Sequence, residues 1–329
     1  MSKLDRVREE IGELFPQAAW VRNRSIAVLL PCYNEAAAIG EVVRGFRQAL
    51  PSAQIYVYDN NSTDDTGRAA EQAGAIVRTE PYQGKGNVVR RMLADIDADI
   101  YVLADGDATY NPQAAGRLID ALVTRNLDMV VGTRAPAEGA YRRGHQIGNR
   151  FFNRAVQHLF GPGFTDILSG YRVLSRRFAK SFPVTSTGFE IETELSVHAL
   201  DLKIAAGEIP LPYGARPQGS HSKLRTYRDG LRILGAILLL YKELKPLRFF
   251  GAIGAAMTIA AVGLALPLAK TYAETGLVPR LPTAVLATGM VQLGVLSFAV
   301  GLVLDSLARS RREAKRMRYL DLHSVAENA

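Results

Sequence analysis

Two carboxylates one residue apart, Asp105 and Asp107, close an apolar run, Ile100-Tyr-Val-Leu-Ala104. Such a pair repels itself unless a cation lies between its members, and a hard divalent ion that keeps positions open for phosphate oxygens suits it. Gly106 carries no Cβ, so the backbone bends there and both side chains face one ion. Asp-Gly is also an ordinary turn dipeptide, and a solvated turn is the alternative reading. Three further polar clusters invite the same question: Pro31-Cys-Tyr-Asn-Glu35, Asp59-Asn-Asn-Ser-Thr63 and Gly84-Lys-Gly86. The last resembles a phosphate cradle but lacks the G-x-x-x-x-G-K-[ST] pattern, which excludes a P-loop; a loop with a solvated lysine is the alternative.

Each cluster follows a short apolar run of strand character, at residues 25–30, 54–58, 75–78 and 100–104. A fifth run, 127–132, delivers Thr133 and Arg134. Helical patterns alternate with these runs, the first over 36–50. That alternation predicts an α/β fold with a doubly wound, mostly parallel sheet over roughly residues 25–215. In such sheets ligands gather beyond the carboxyl ends of the strands, so all these clusters fall on one rim.

In chain order, Pro31-Cys-Tyr-Asn-Glu35, Asp59-Asn-Asn-Ser-Thr63, Gly84-Lys-Gly86, Asp105-Gly-Asp107, Gly132-Thr-Arg134 and Asp166-Ile-Leu-Ser-Gly-Tyr-Arg172 resemble the family 2 glycosyltransferases of the GT-A fold. The resemblance covers about residues 25–230 and is strongest to the dolichyl- and polyprenyl-phosphate sugar transferases. It implies a nucleotide-sugar donor along Pro31, Tyr33, Asn34, Glu35, Asp59, Asn61, Gly84 and Lys85, reaching Asp105 and Gly106. It implies a divalent cation, Mg or Mn, on Asp105 and Asp107, with Asp166 and Arg134 also in the catalytic group. Where the family often has Gln, two residues after the second metal acid, this chain has Thr109, so a third ligand is unassigned. The acceptor phosphate is expected at Arg134, Arg143, Ser169 and Arg172, and at Arg216, Ser222 and Lys223 of an R-x-x-G-x-S-K-like loop. Arg142 and Arg143 have a second reading as solvated cations, and Glu190 is expected either to orient a basic side chain or to stand exposed.

Composition speaks to the surroundings. The net charge of +8 is concentrated: Arg309 to Arg318 holds six Lys/Arg against one Glu, and Lys242 to Arg248 three against one. Both clusters flank apolar segments, which points to a membrane and away from nucleic acid. Residues 249–269 and 283–304, 21 and 22 long, contain no charge and meet the length of a bilayer crossing. The expected organisation is an amphipathic helix over 1–24, a catalytic domain over 25–225, an interfacial helix over 226–246, two transmembrane helices over 247–308 and a basic tail over 309–329. Basic outer flanks place the catalytic domain and both termini in the cytoplasm of a multi-pass cell-membrane protein. The single cysteine, Cys32, excludes an internal disulfide, and the charged start is no signal peptide.

The expected reaction moves a sugar from a UDP- or GDP-sugar to polyprenyl phosphate with inversion, and the resemblance suggests a homo-oligomer, a tetramer, formed through the membrane region. A processive polysaccharide synthase is the alternative enzyme. Those synthases carry a Q-x-x-R-W segment and more spans, whereas the one tryptophan here is Trp20. A non-catalytic lipid-sugar membrane component is the alternative from another class.

Overall fold

A computed structural model describes residues 24–136, 143–214 and 226–324. The helix expected at the N-terminus lies outside the described residues but for Arg24. The described residues form two compact units, 24–237 with 315–324, and 238–314.

In the first unit the expected runs form β1 (Ile26–Cys32), β2 (Gln54–Asp59), β3 (Ile76–Thr79), β4 (Ile100–Leu103) and β5 (Met129–Pro136). Val28, Leu30, Val57 and Val102 are wholly buried, as expected for strands covered on both faces. Helices α1 (Ala36–Ala49) and α4 (Ala115–Thr124) cover one face, setting Ile39, Val43, Phe46, Leu118 and Leu122 against these strands. Between them along the chain come α2 (Thr66–Gln72) and α3 (Lys85–Asp95).

The sheet has seven strands in the order β3-β2-β1-β4-β6-β5-β7, and two of them have no counterpart in the expected set. Strand β6 (Arg172–Ser175) runs antiparallel to both β4 and β5, and β7 (Ala206–Tyr213) runs parallel to β5 at the edge. Four residues opening on a charge do not read as a strand. Pro210 and Pro212 argue against a strand as well, and they are tolerated because β7 has a neighbour on one side only. The antiparallel β6 matters for the site, because its first residue, Arg172, pairs with Leu103 at the carboxyl end of β4. The segment before it, 166–171, is thereby delivered to the rim.

Arg172 itself is a correction to the expected acceptor group. It is 0% exposed, with Nε donating to Ser169 O (2.9 Å) and Nη2 to Ile167 O (2.8 Å), Glu192 O (2.9 Å) and Ser196 Oγ (2.9 Å). Burial pushes the guanidinium down to about 10, which leaves it charged at neutral pH. It braces the chain between β6 and α7 (Ile191–Leu202) and has no surface to offer a phosphate.

Helix α5 (Arg143–Phe160) precedes β6, and α6 (Arg176–Ser181) follows it with the Ser175 side chain capping its start through Phe178 N. Helix α8 (Thr226–Leu244) has apolar side chains on two faces: Ile233 and Ile237 are buried, while Leu231 is 71% exposed.

The second unit contains most of two long helices, α9 (Pro246–Thr275) and α10 (Leu281–Leu320). Both are long and apolar enough to cross a membrane, and only 11% and 17% of their most apolar stretches are covered by protein. A soluble core helix would be mostly covered, so the remaining apolar surface calls for a lipid-like surrounding. They approach through glycine: a Cβ on Gly254 would lie 2.6 Å from Gly294 O, and Ser297 Oγ donates to Phe250 O at 2.9 Å. Helix α10 runs on through the basic tail to Leu320. Its end returns to the first unit, where Tyr319 Oη donates to Asp128 Oδ2 (2.6 Å) and the Arg177 guanidinium lies 4.7 Å from the Tyr319 ring centroid.

Two stability outcomes follow. Arg172→Ala leaves three buried carbonyls without their donor and lowers unfolding free energy by about 3–5 kcal/mol, read by denaturant melts of detergent-solubilised protein. Gly254→Val forces α9 away from α10 and lowers the melting temperature, whereas Gly263→Ala, with open space at its Cβ, leaves it within a degree or so.

Candidate functional site

The carboxyl ends of β1, β2 and β4 and the amino end of β6 share one edge, with Cys32 in register with Asp59 and Leu103 with Arg172. Beyond β1 the chain turns through Asn34 at φ 54°, a left-handed conformation that asparagine tolerates. Asn34 Oδ1 accepts from Thr63 N (2.7 Å), and Asn34 N donates to Ser62 Oγ (2.9 Å). Glu35 is buried, its backbone N donating to Thr66 Oγ1 at 2.8 Å. Asp59 Oδ1 accepts from Ser62 N (3.2 Å); Tyr33 is exposed and Pro31 half-buried. Asn61, also left-handed at φ 60°, donates from Nδ2 to Pro81 O at 2.6 Å.

Asn60 is the stronger tie between the loops. Its buried amide donates to Glu80 O (2.9 Å) and Tyr82 O (2.8 Å), and its Oδ1 accepts from Gly84 N (2.7 Å). The Gly84-Lys85-Gly86 loop lies against the backbone of Ser186 and Thr187, where Gly86 N donates to Thr187 O at 3.1 Å. Side chains at Gly84 or Gly86 would collide with those carbonyls, and Gly84 has φ 133°. Two glycines thus admit a close backbone approach that starts α3 with Lys85 aimed at the rim.

Lys85 Nζ forms ion pairs with Asp105 Oδ1 and Glu192 Oε1. The solvated-lysine reading is thereby corrected: this side chain is only 10% exposed. Burial alone would push the ammonium down, but the Asp105 and Glu192 carboxylates outweigh it and raise the group, so it carries its charge at neutral pH. Burial likewise pushes the Glu192 carboxyl up, against the pull of Lys85. Sequence reasoning missed Glu192 and favoured Glu190. In the structure Glu190 accepts from Gly188 N (3.0 Å) and Thr187 N (3.3 Å), while Glu194 accepts from Thr185 N and Ser186 N, both at 2.8 Å. The available signal was spacing: Glu192 is offset from the Glu190 and Glu194 pair, on the face that meets Lys85.

At the Asp105-Gly-Asp107 turn the glycine has a different reason from the expected one. Gly106 does not take a left-handed conformation; its missing Cβ makes room for Cys32 Sγ and Ile39. The left-handed residue is Ala108, at φ 59°, a strained choice for a non-glycine. That geometry lets Asp107 Oδ1 accept from Thr109 N (3.1 Å) and Thr109 Oγ1 (2.6 Å), so Thr109 fixes the Asp107 carboxylate. Asp107 is 4% exposed. Asp105 faces Gly170, where a Cβ would stand 2.7 Å from its Oδ2. Two hard carboxylates from one turn match what a divalent ion bound mainly through phosphate oxygens takes from a protein. Among the described residues no third acid, histidine or cysteine joins them.

Across the rim, Arg134 holds Asp166 in a fork: Nε to Oδ2 at 2.8 Å, Nη2 to Oδ1 at 2.6 Å, and backbone N to Oδ2 at 3.1 Å. Burial pushes the Asp166 carboxyl up, but Arg134 more than offsets it and holds the group below the usual carboxylate range. Asp166 is therefore an anchored anion that aims Arg134. Ser169 is a second correction: it is fully buried and donates to Gly132 O at 2.5 Å, away from any acceptor. Arg143 is in α5 without a described side chain, and Arg142, Arg216, Ser222 and Lys223 lie outside the described residues.

Known proteins share this arrangement in sequence and in fold. Glycosyl transferase family 2 matches over residues 27–182. Glycosyltransferase AglJ of Haloferax volcanii is 36% identical over 305 residues, spanning 90% of this chain and 98% of that protein. The dolichol-phosphate mannosyltransferase of Pyrococcus furiosus is 25% identical over 248 residues, 70% of this chain and 68% of the relative. The glucosyl-3-phosphoglycerate synthase of Mycobacterium tuberculosis, solved in complex with Mn2+, UDP-glucose and phosphoglyceric acid, superposes with a TM-score of 0.57 at 25% identity over 70% of this chain and 83% of its own. The chain belongs to glycosyl transferase family 2 and is a glycosyltransferase.

Proposed function

We propose that this glycosyltransferase moves a sugar from a nucleotide diphosphate donor to polyprenyl phosphate. One observation carries the choice of acceptor: the polypeptide that presents the Asp105–Asp107 turn continues into two helices whose apolar surface is largely uncovered. A lipid acceptor resides where such helices do, and the relative from Pyrococcus furiosus bears the name of a transferase to dolichol phosphate. The acceptor class is a phosphate monoester.

The donor nucleotide follows the rim from Pro31 and Tyr33 past Asp59 to Lys85. A divalent cation, Mg or Mn, held by Asp105 and Asp107 would offset the charge of the departing nucleoside diphosphate. Lys85, kept charged by its two carboxylates, stands beside that turn and attracts the donor phosphates. Thr109 holds Asp107 in place, and Arg134, aimed by Asp166, screens the approach of a second anion. An acceptor phosphate oxygen forms its bond to the anomeric carbon as the bond to the diphosphate oxygen breaks, inverting that centre. The attacking oxygen is already anionic near neutral pH, so no residue has to remove a proton. Positioning two anions is the enzyme's main task. The basic outer flanks of the two apolar helices support a cytoplasmic catalytic domain.

The decisive assay combines the purified chain, undecaprenyl phosphate, Mn2+ or Mg2+, and a panel of UDP- and GDP-sugars, with phosphoglycerate as a competing soluble acceptor. A polyprenyl-phosphate-sugar mass from one donor, lost with chelator, is the expected result; transfer to phosphoglycerate alone contradicts the lipid assignment. Asp107→Asn lowers transfer on the order of a thousandfold with an unchanged melting temperature, and substantial residual turnover would remove the carboxylate pair from the mechanism.

The Arg134–Asp166 fork gives a pH signature. Because the folded Asp166 carboxyl is depressed, its stabilisation is complete above the ordinary carboxylate pKa of about 4 and disappears as pH falls through the lower folded value. Arg134→Gln therefore costs about 3 kcal/mol at neutral pH, and the gap from the wild-type chain closes in strongly acidic urea melts.

A further inference from the structure

A second basic hollow lies at the opposite edge of the sheet from the donor rim. Arg176 directly follows Ser175, which pairs with Ile100 at the amino end of β4, whereas Asp105 lies beyond its carboxyl end. Between α3, α6 and the end of α10 is a cavity of about 520 Å³. That volume is within the range of about 300–1,000 Å³ that holds small ligands.

Its polar lining is one-sided: Arg90, Arg176, Lys180 and Arg318 against the single acid Asp97. Arg176 satisfies that acid with a two-point fork, Nε to Oδ1 at 2.8 Å and Nη2 to Oδ2 at 2.9 Å. Among the described residues the other three make no direct ion pair, although Asp97 and Asp95 act on Lys180 from a distance. Lys180 Nζ donates to Leu93 O (2.6 Å) and Ile96 O (2.7 Å), and Arg90 Nη2 donates to Asn87 Oδ1 (2.9 Å). Among the described residues, Arg318 makes no hydrogen bond or ion pair. Carbonyls and an amide orient Lys180 and Arg90 without cancelling their charge, so the lining keeps a net positive charge of four cations against one acid. Leu93, Phe182, Pro183 and Leu322 supply an apolar wall beside them. That wall includes Val184 at φ 43°, a conformation rare for a β-branched residue.

The cavity is also built to last. Its α10 side is fixed by Tyr319, one residue from Arg318, which donates to the wholly buried Asp128 while stacking under Arg177. Loosely waving tail arginines would not make a site; a pinned helix end does.

We propose that this hollow binds a phosphate-bearing anion with an apolar substituent, independently of the donor rim. The Arg90 and Arg318 guanidinium groups and the Lys180 ammonium suit phosphate oxygens, and the apolar wall suits the group attached to them. A phospholipid headgroup and a free phosphate compound share this chemistry. Occupancy joins α3, whose first residue is Lys85, to the end of α10 within the first unit.

Calorimetric titration of the detergent-solubilised full chain tests this with three probes: short-chain phosphatidylglycerol, short-chain phosphatidylcholine and inorganic phosphate. Saturable binding of phosphatidylglycerol is expected, weakened roughly tenfold or more in the Arg90→Gln/Arg318→Gln chain and unchanged in an Arg117→Gln control on another surface. Inorganic phosphate binding with the same variant dependence identifies free phosphate compounds as ligands too; its failure beside phosphatidylglycerol binding assigns the site to lipid. The proposal is overturned if no anion binds saturably, if phosphatidylcholine binds as well as phosphatidylglycerol, or if the double variant binds like the wild-type chain. Should the double variant not fold, Arg318→Gln alone carries the comparison, because it removes a side chain with no partner to disturb.

Discussion

A charged lysine enclosed by two acids ties together three distant stretches of this chain. Lys85 opens α3, Asp105 ends the strand run of β4, and Glu192 sits in the first turn of α7. Enclosing an ammonium is costly unless its partners are held in place, and unpairing either acid would leave a buried charge. The backbone accordingly commits much of its local structure to that position. Gly84 and Gly86 press the loop onto Ser186 and Thr187, and Asn60 clamps Gly84 from the β2 side. Gly170 leaves space for the Asp105 carboxylate. Arg172 supports the same assembly from beneath by binding the Glu192 carbonyl.

On the proposed reaction, the same arrangement explains how one rim would handle reactants of like charge. Net positive groups are useful only if they stay where the phosphates pass, and a lone lysine on a loop would not. Among the described residues each rim cation has an acid that orients it: Glu192 and Asp105 for Lys85, and Asp166 for Arg134. These acids reduce the attraction for phosphate, yet they remove the entropy cost of ordering long side chains on binding. The balance favours geometry over raw charge, as positioning catalysis requires.

Much of this was legible in the residue order because the rim is built from strand ends. Apolar runs closing on short polar clusters gave β1 to β5 and placed Asp59, Lys85, Asp105 and Arg134 at one edge, since a parallel sheet aligns its carboxyl ends. What escaped notice depended on contacts across the chain. Strand β6 is too short and too charged at its start to show a period, so its antiparallel course is invisible locally. Arg172 and Ser169 were expected among the acceptor groups because their segment resembles the family's acceptor side; the fold spends both on backbone carbonyls. Glu192 was one of three acids on a short helix, and only the path of the Gly84–Gly86 loop decides which of them meets Lys85.

The basic residues near the end of the chain show the converse. In sequence, Arg309 to Arg318 reads as a uniform positive-inside signal, in which each residue does the same work. The structure distinguishes them: α10 continues unbroken to Leu320, and Tyr319 fastens its end to Asp128 at the amino end of β5. A helix tip fastened in this way holds its own last turn in the first unit, as a flexible tail would not. Charge composition then bears only on the proposed membrane side of these residues. The pinned tip accounts for why Arg318 has a fixed place among the cations of α3 and α6.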